Sequence, residues 1–270
     1  MPALYVVATP IGNLEDISLR ALRTLREVKL IAAEDTRRTK QLLVTYNIKT
    51  PVTSYHEHNK WTKMDYILNY LGSGDVALVS DAGMPGMSDP GYELIVAATH
   101  RGIPVVPIPG ASVVITALVV SGLPVERFIY LGFLPHKTSG RRHLLQSAAD
   151  ECGTIVVLES PHRLRAALND ILRVLGDRRV AVCRELTKIH EEVFRGRVSQ
   201  AIEHFTEPRG EFTLVIEGKG EDKPQLTEDI ERQLSSLRQA GATAKEAIAK
   251  VSGETGLSRR ELYRAWLKLL

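Results

Sequence analysis

Four short apolar runs, each closed by a loop containing glycine or proline, fall in the first 110 residues and limit the fold more than any other feature. They are Ala3–Ala8, Leu30–Ala33, Asp75–Ser80 and Ile103–Ile108. Runs of this length between turn formers read as buried strands. After the first, Ser18 is placed to cap a helix whose apolar face is Leu19, Leu22, Leu25 and Val28, at three-residue spacing. Strand, loop and helix in repeated order predict an α/β fold, a largely parallel sheet with helices on both faces. Ligands of such sheets gather at the carboxyl ends of the strands, so the loops there are where chemistry is expected.

A second block begins near Leu123. Strands are expected at Phe128–Phe133, Thr154–Leu158, Val180–Cys183 and Phe212–Glu217, with helices at Arg163–Leu175 and Val198–Phe205. Short links before the last strands suggest hairpin pairing. The polar stretch 218–225, GKGEDKPQ, reads as a linker, and three helices follow at Asp229–Ala240, Ala244–Val251 and Ser258–Leu269. The expected organisation is an N-terminal α/β domain (1–120), a second α/β domain (121–220) and a C-terminal helical domain (225–270).

Hydrophobic residues make up 44% and charged residues 25%, which excludes a collagen-like, coiled-coil or wholly disordered chain. Apolar runs such as Ala111–Val120 are too short to span a bilayer, and the N-terminus has no signal-peptide pattern, so a cytoplasmic protein without a membrane partner is expected. Cys152 and Cys183 stand far apart and are expected as two buried free thiols. A net charge of +3 permits a polyanionic partner without demonstrating one.

Three loops stand out. Ser80–Gly91, SDAGMPGMSDPG, has three glycines and two prolines in twelve residues, which fixes an unusual backbone path that a ligand can approach closely. Asp81 and Asp89 in it are suited to receive hydroxyl or amino donors; a sharp surface connection is the alternative. In Pro107–Ser112, Gly110 gives close approach and Ser112 can cap the next helix. Thr9–Asp16 contains only Gly12, so it matches neither G-x-G-x-x-G nor a Walker loop, which argues against a nucleotide triphosphatase or a usual dehydrogenase.

The segments VVATPIGNLEDIS (6–18), AAEDTRRT (32–39), SYHEHN (54–59), SDAGMPGMSDPG (80–91), IPGASVVITAL (108–118), LESPHRL (158–164) and CRELTKIHEE (183–192) resemble the tetrapyrrole methylase superfamily of S-adenosylmethionine-dependent methyltransferases. The likeness covers residues 1 to about 220, and EDTRRT and SYHEHN are particular to the branch acting on small-subunit ribosomal RNA. The resemblance implies two α/β domains with S-adenosylmethionine bound between them, and a homodimer. It also implies 2′-O-methylation of one cytidine in the decoding region of 16S rRNA, within the 30S subunit. Carried over position by position, the cofactor contacts fall on Pro10, Asp81, Ala82, Gly83, Gly86, Ser112, Val113, Leu158, Glu185 and Leu186.

Methyl transfer needs the attacking oxygen, the methyl carbon and the leaving sulfur in line, and a ribose hydroxyl needs its proton taken. Glu34, Asp35 and His56 are the candidate bases, with Arg37 a candidate for holding a phosphate. A capping salt bridge between Glu34 and Arg37 is the plainer reading of that pair. His56 and His58 alternate on an extended segment and could face one metal, but no third ligand has metal-like spacing, and in-line methyl transfer needs none. The residues expected to meet RNA are Arg37, Arg38, Asn59, Arg141, Arg142, Arg184, Lys188, Arg259 and Arg260. Basic clusters at Arg163 with Arg165 and Arg195 with Arg197 would extend a phosphate track if they shared a face. The tail resembles a helix-turn-helix, read equally well as an RNA contact or a packing element. A methylase acting on a tetrapyrrole or a protein histidine derivative, and a non-catalytic nucleic-acid-binding protein, are the competing readings.

Overall fold

The computed structural model describes residues 2–220 and 226–268. The far end of the expected linker, 221–225, and the last residue of the expected final helix, Leu269, lie outside them. Contacts divide the chain into two compact units, Met1–Lys219 and Gly220–Leu270.

The first unit holds two five-stranded sheets. Strands β1 (Leu4–Val7), β2 (Leu30–Ala33), β3 (Val52–Ser54), β4 (Val76–Val79) and β5 (Val105–Ile108) form the first sheet, in the order β3-β2-β4-β1-β5. Every pairing in it is parallel. The intervening helices are α1 (Leu19–Glu27), α2 (Thr36–Thr45), α3 (Lys60–Leu71) and α4 (Tyr92–His100), and α5 (Val113–Val120) follows β5. One apolar core, around Leu25, Ile31 and Val79, covers one face of the sheet, and another, around Tyr55, Leu78 and Leu94, covers the other. This is the doubly covered parallel sheet that buried strands without polar alternation require. The strand order sets the loops after β2, β4, β1 and β5 side by side.

The second sheet is built from β6 (Phe128–Phe133), β7 (Thr154–Glu159), β8 (Arg179–Arg184), β9 (Glu192–Arg197) and β10 (Phe212–Ile216), in the order β6-β7-β10-β8-β9. Only β6 and β7 are parallel; β10 pairs antiparallel with both β7 and β8, and β8 with β9. Helices α6 (Thr138–Ser147), α7 (Pro161–Leu175) and α8 (Val198–His204) cover one face. The other face packs on α5, through Val114, Ala117 and Leu118 against Val156, Ala181 and Val215. The helix that ends the first half of the unit thus belongs to the core of the second. In the second unit, α9 (Glu228–Gln239), α10 (Ala244–Thr255) and α11 (Arg259–Lys268) pack around Leu234, Val251, Leu262 and Trp266.

Three expectations are corrected. Ser18 does cap α1, its Oγ accepting the Ala21 N–H at 3.1 Å, but Leu19 is 86% exposed and no part of the buried face. At 3.6 residues per turn Leu19 sits about 120° around the helix from Leu25, so three-residue spacing drifts off the face, and Ala21 and Thr24 are buried in its place. Cys152 is exposed beyond the end of α6, whereas Cys183 is buried in β8, where burial pushes its thiol up to about 12. Strand β9, EVFRGR, was not expected: its apolar residues are too few to outweigh its charges, and it forms as an edge partner of β8.

Candidate active site

The carboxyl ends of the first sheet meet the second sheet along a cleft of about 410 Å³. One wall comes from the first sheet: Ile11 after β1, Glu34 and Arg38 after β2, the 81–89 stretch after β4, and Ser112 to Val114 after β5. The other comes from Tyr130 and Phe133 of β6, Leu158 to Pro161 at the end of β7, and Glu211 to Thr213 at the start of β10. The antiparallel register explains the last group, since Phe212 pairs with Glu159 and Thr213 with Leu158.

The glycine-rich loop is fixed at three points. Thr9 and Gly83 exchange backbone hydrogen bonds of 2.9 and 3.0 Å, so the loop after β4 is stitched to the loop after β1. Gly83 (φ +79°) and Gly86 (φ +83°) take left-handed conformations that L side chains resist. At its far end, the Ser88 hydroxyl lies 2.6 Å from the Tyr130 hydroxyl, a link from one sheet to the other. Ser112 caps α5 as expected, accepting the Ile115 N–H at 3.5 Å.

Five carboxylates line the cleft. Glu34 Oε2 accepts the Asp81 N–H at 3.1 Å, and Asp81 Oδ1 accepts the Asp35 N–H at 3.0 Å. Arg38 stands 3.4 Å from Asp81. Burial raises Glu34 above the usual carboxylate range, against the Asp81 N–H that lowers it. Asp89 is raised to about 7, first by burial and then by the charges of Glu34 and Asp81. Glu159 is clamped through Oε1 by the Ser160 N–H at 2.7 Å and by Arg163 at 2.6 Å. Its Oε2 is buried with no hydrogen-bond partner. Glu211 pairs with Lys188 at 3.0 Å.

The residue pattern 3–202 matches the model of the family described as Tetrapyrrole (Corrin/Porphyrin) Methylases. The chain belongs to the tetrapyrrole methylase family. Relatives named ribosomal RNA small subunit methyltransferase I include one from Halalkalibacterium halodurans, 48% identical over 97% of this chain and 94% of its own length. One from Synechocystis sp. is 50% identical over 100% and 99%. A third, from Thermotoga maritima, is 53% identical over 81% of this chain and 100% of its own. Among solved structures, diphthine synthase is similar with a TM-score of 0.63 at 16% identity, covering 80% of this chain and 90% of that one. Uroporphyrin-III-C-methyltransferase from Thermus thermophilus is similar with a TM-score of 0.59 at 20% identity, covering 80% and 94%. At these identities the two structures show the fold of the methylase.

Of the residues expected to hold the cofactor, Asp81, Ala82, Gly83, Ser112, Val113 and Leu158 come together in the cleft. Pro10 lines an adjoining hollow with Gly12, Arg38, Asp81 and Lys188. Gly86 packs against Tyr92 and Ile95, behind the loop. Glu185 (φ +50°) turns its carboxylate to Lys188 and the Glu211 N–H, and Leu186 enters the core beside α5. Of the candidate bases only Glu34 reaches the cleft wall. Asp35 caps α2, and it is Asp35, not Glu34, that pairs with Arg37, at 2.8 Å. Hydrogen bonds from Arg37 hold its carboxyl down to about 2, which makes it a poor proton acceptor. His56 lies in the turn before α3, outside the cleft wall.

The basic residues expected on RNA separate into two kinds. Arg37 and Arg38 are exposed, Arg38 at the cleft itself, and Arg259 and Arg260 are exposed on α11 of the second unit. Arg141, by contrast, is buried against Asp170 at 2.5 Å, so it bolts α6 to α7 rather than facing a phosphate. Arg142 shares Asp170 at 2.6 Å with its side chain 40% exposed. Asn59 locks its own turn, accepting the His56 N–H at 2.8 Å and donating to Ser54 Oγ at 2.9 Å. Arg184 is bonded to Glu192 and the Arg209 carbonyl, and Lys188 bridges Glu185 and Glu211. Arg163, Arg165, Arg195 and Arg197 all donate to backbone carbonyls; Arg163 is half-buried, while Arg165, Arg195 and Arg197 are exposed. Glu159 lies in the segment LESPHRL but was not picked out as a site residue, and nothing in the sequence singles out Tyr130, Phe212 or Thr213; their place follows from the strand order of the second sheet.

Proposed function

We propose that this methylase transfers a methyl group from S-adenosylmethionine to the ribose 2′-hydroxyl of one cytidine in the decoding region of 16S rRNA, acting on the 30S subunit as a homodimer. The observation that carries the reading is the 48–50% identity, over nearly the whole chain, to relatives named for small-subunit ribosomal RNA methylation. The cleft suits such a donor. The orphaned Glu159 Oε2 wants an N–H or O–H partner, which the amino and ribose hydroxyl groups of S-adenosylmethionine provide. Ile11, Val113, Leu158 and Phe212 offer apolar wall to an adenine, and Glu34 and Asp81 offer negative charge to a sulfonium.

When bound, the donor supplies an electrophilic methyl group. The protein's part is to orient and to move one proton. Gly83, whose carbonyl and N–H both pair with Thr9, holds the loop main chain where a ligand rests on it. The Ser88–Tyr130 bond ties the two walls together and fixes the width of the cleft. The cleft carboxylates accept the hydroxyl proton, and exposed Arg37 and Arg38 beside the cleft attract phosphate. Ile115 and Val119 of α5 are exposed apolar surface suited to a second copy.

The test is transfer of labelled methyl from S-adenosylmethionine to 30S subunits from cells lacking this gene, followed by nuclease mapping. Label on a 2′-O-methylated cytidine of the decoding region is expected. Label on a base, on a protein or nowhere, with the donor still bound, would reject the reading.

A further inference from the structure

We propose that the Asp89 side chain takes the proton from the attacking hydroxyl, with Glu34 and Asp81 as positioning carboxylates beside it. This rests on the methyl-transfer reading above and names a residue for it. Each of the cleft's other four carboxylates is already engaged by a backbone N–H or a cation: Glu34 by the Asp81 N–H, Asp81 by the Asp35 N–H and Arg38, Glu159 by Ser160 and Arg163, Glu211 by Lys188. Such partners favour the ionised form, although burial still leaves Glu34 and Glu159 raised. Among the described residues Asp89, which lines the cleft, has neither. It is the cleft carboxylate that neither a backbone N–H nor a cation engages, the free Glu159 Oε2 being left to the donor.

The groups facing Asp89 come from three elements. Glu34 follows β2, Asp81 and Ser80 follow β4, and the Tyr130 phenol stands on β6, itself raised by burial and by the Asp89 charge. Arg38 is directed to Asp81 and does not offset Asp89. Buried beside two anions, the carboxyl holds a proton up to about pH 7, where a general base is most effective.

The step balances. The O–H bond breaks and its proton passes to an Asp89 carboxylate oxygen. The hydroxyl oxygen's electron pair forms the new O–C bond. The C–S bond breaks with its pair left on sulfur, turning a sulfonium into a neutral thioether as the carboxylate becomes a carboxylic acid. Asp89 then releases the proton to water.

Two measurements test this. Single-turnover methylation of 30S subunits at saturating S-adenosylmethionine should rise with pH through about 7 in the native protein. Asp89→Asn should lower the rate about 100-fold or more with donor affinity unchanged, the contribution of a general base. Asp89→Glu should restore part of the rate, and Glu34→Gln, by removing an adjacent anion, should move the acidic limb to lower pH. Independently of turnover, carbon-13 spectra of aspartate carboxyl carbons in the donor-free protein should show one group titrating near neutrality that is lost in Asp89→Asn or Asp89→Glu. An Asp89→Asn rate within about threefold of native, or no aspartate titrating near neutrality, overturns the assignment. If Asp89→Asn fails to fold, an acidic limb unmoved in Glu34→Gln does so. If the native protein leaves 30S subunits unmethylated, the functional reading fails instead, and the carboxyl titration still reports on Asp89.

Discussion

Gly12 shows how little room the cleft loops leave. A Cβ added there would stand 2.8 Å from the Leu186 carbonyl and 2.6 Å from the Thr187 hydroxyl, with the Asn13 N–H already bonded to that hydroxyl at 3.0 Å. The loop after β1 therefore seats directly on the turn after β8, in which Glu185 and Thr187 both hold positive φ. Gly12→Ala should cost about 1–3 kcal/mol, the range for forcing atoms into a packed site, read as a lower denaturation midpoint. It should also weaken S-adenosylmethionine binding, since the loop that carries Ile11 has to shift. In the sequence Gly12 is visible only as the loop's one glycine; its partner lies more than 170 residues away, and only the folded chain shows why it is needed.

At the scale of elements, apolar runs between turn formers made most strands of both sheets legible, whereas the edge strand β9 and the order in which the strands pair were not. Strands β1, β2, β4 and β5 are apolar runs between turn formers, and each lies near its expected place. Strand β9 and the cleft edge of β10 depend on neighbours that no local pattern names. Charge was the least legible property, because a run of basic residues looks alike whether it meets water or a buried carboxylate. Asp170 is the case in point. It is 3% exposed on α7 and holds both Arg141 and Arg142 of α6. Asp170→Ala should cost about 3–5 kcal/mol, because it leaves Arg141 buried and uncompensated. Burial alone would raise the Asp170 carboxyl, but Arg142 and Arg141 outweigh it and hold the group below its ordinary value. Its contribution is thus fully present above the unfolded carboxyl value and lost as pH falls through the lower folded value. Acid melts of native protein and Asp170→Ala should begin to converge as pH falls below about 4, the unperturbed aspartate range, and meet below the lower folded value.

At the scale of the whole molecule, each unit has its own core. Four apolar clusters lie wholly within the first unit, and the cluster around Leu234 and Trp266 lies wholly within the second. Every residue of the cleft belongs to the first unit. The Thermotoga maritima relative bears the same name as the longer ones while matching 81% of this chain with all of its own length. Residues 1–219 produced alone should therefore fold with one cooperative calorimetric transition and bind S-adenosylmethionine with an affinity within about threefold of the full chain. A truncated chain that aggregates or binds no donor would show that the helical unit is needed for the fold. No described helix is long and apolar enough to cross a membrane. In the proposed function the methyl donor sits in the space between the two sheets, walled by the 81–89 loop and the starts of α5 and β10. A crystal structure of the full chain with S-adenosylmethionine tests it most directly. The donor should lie in the cleft against Gly83, Val113 and Thr213, with a hydrogen bond from it to Glu159 Oε2. A donor bound anywhere else on the chain, with that carboxylate oxygen still unpartnered, would contradict the account.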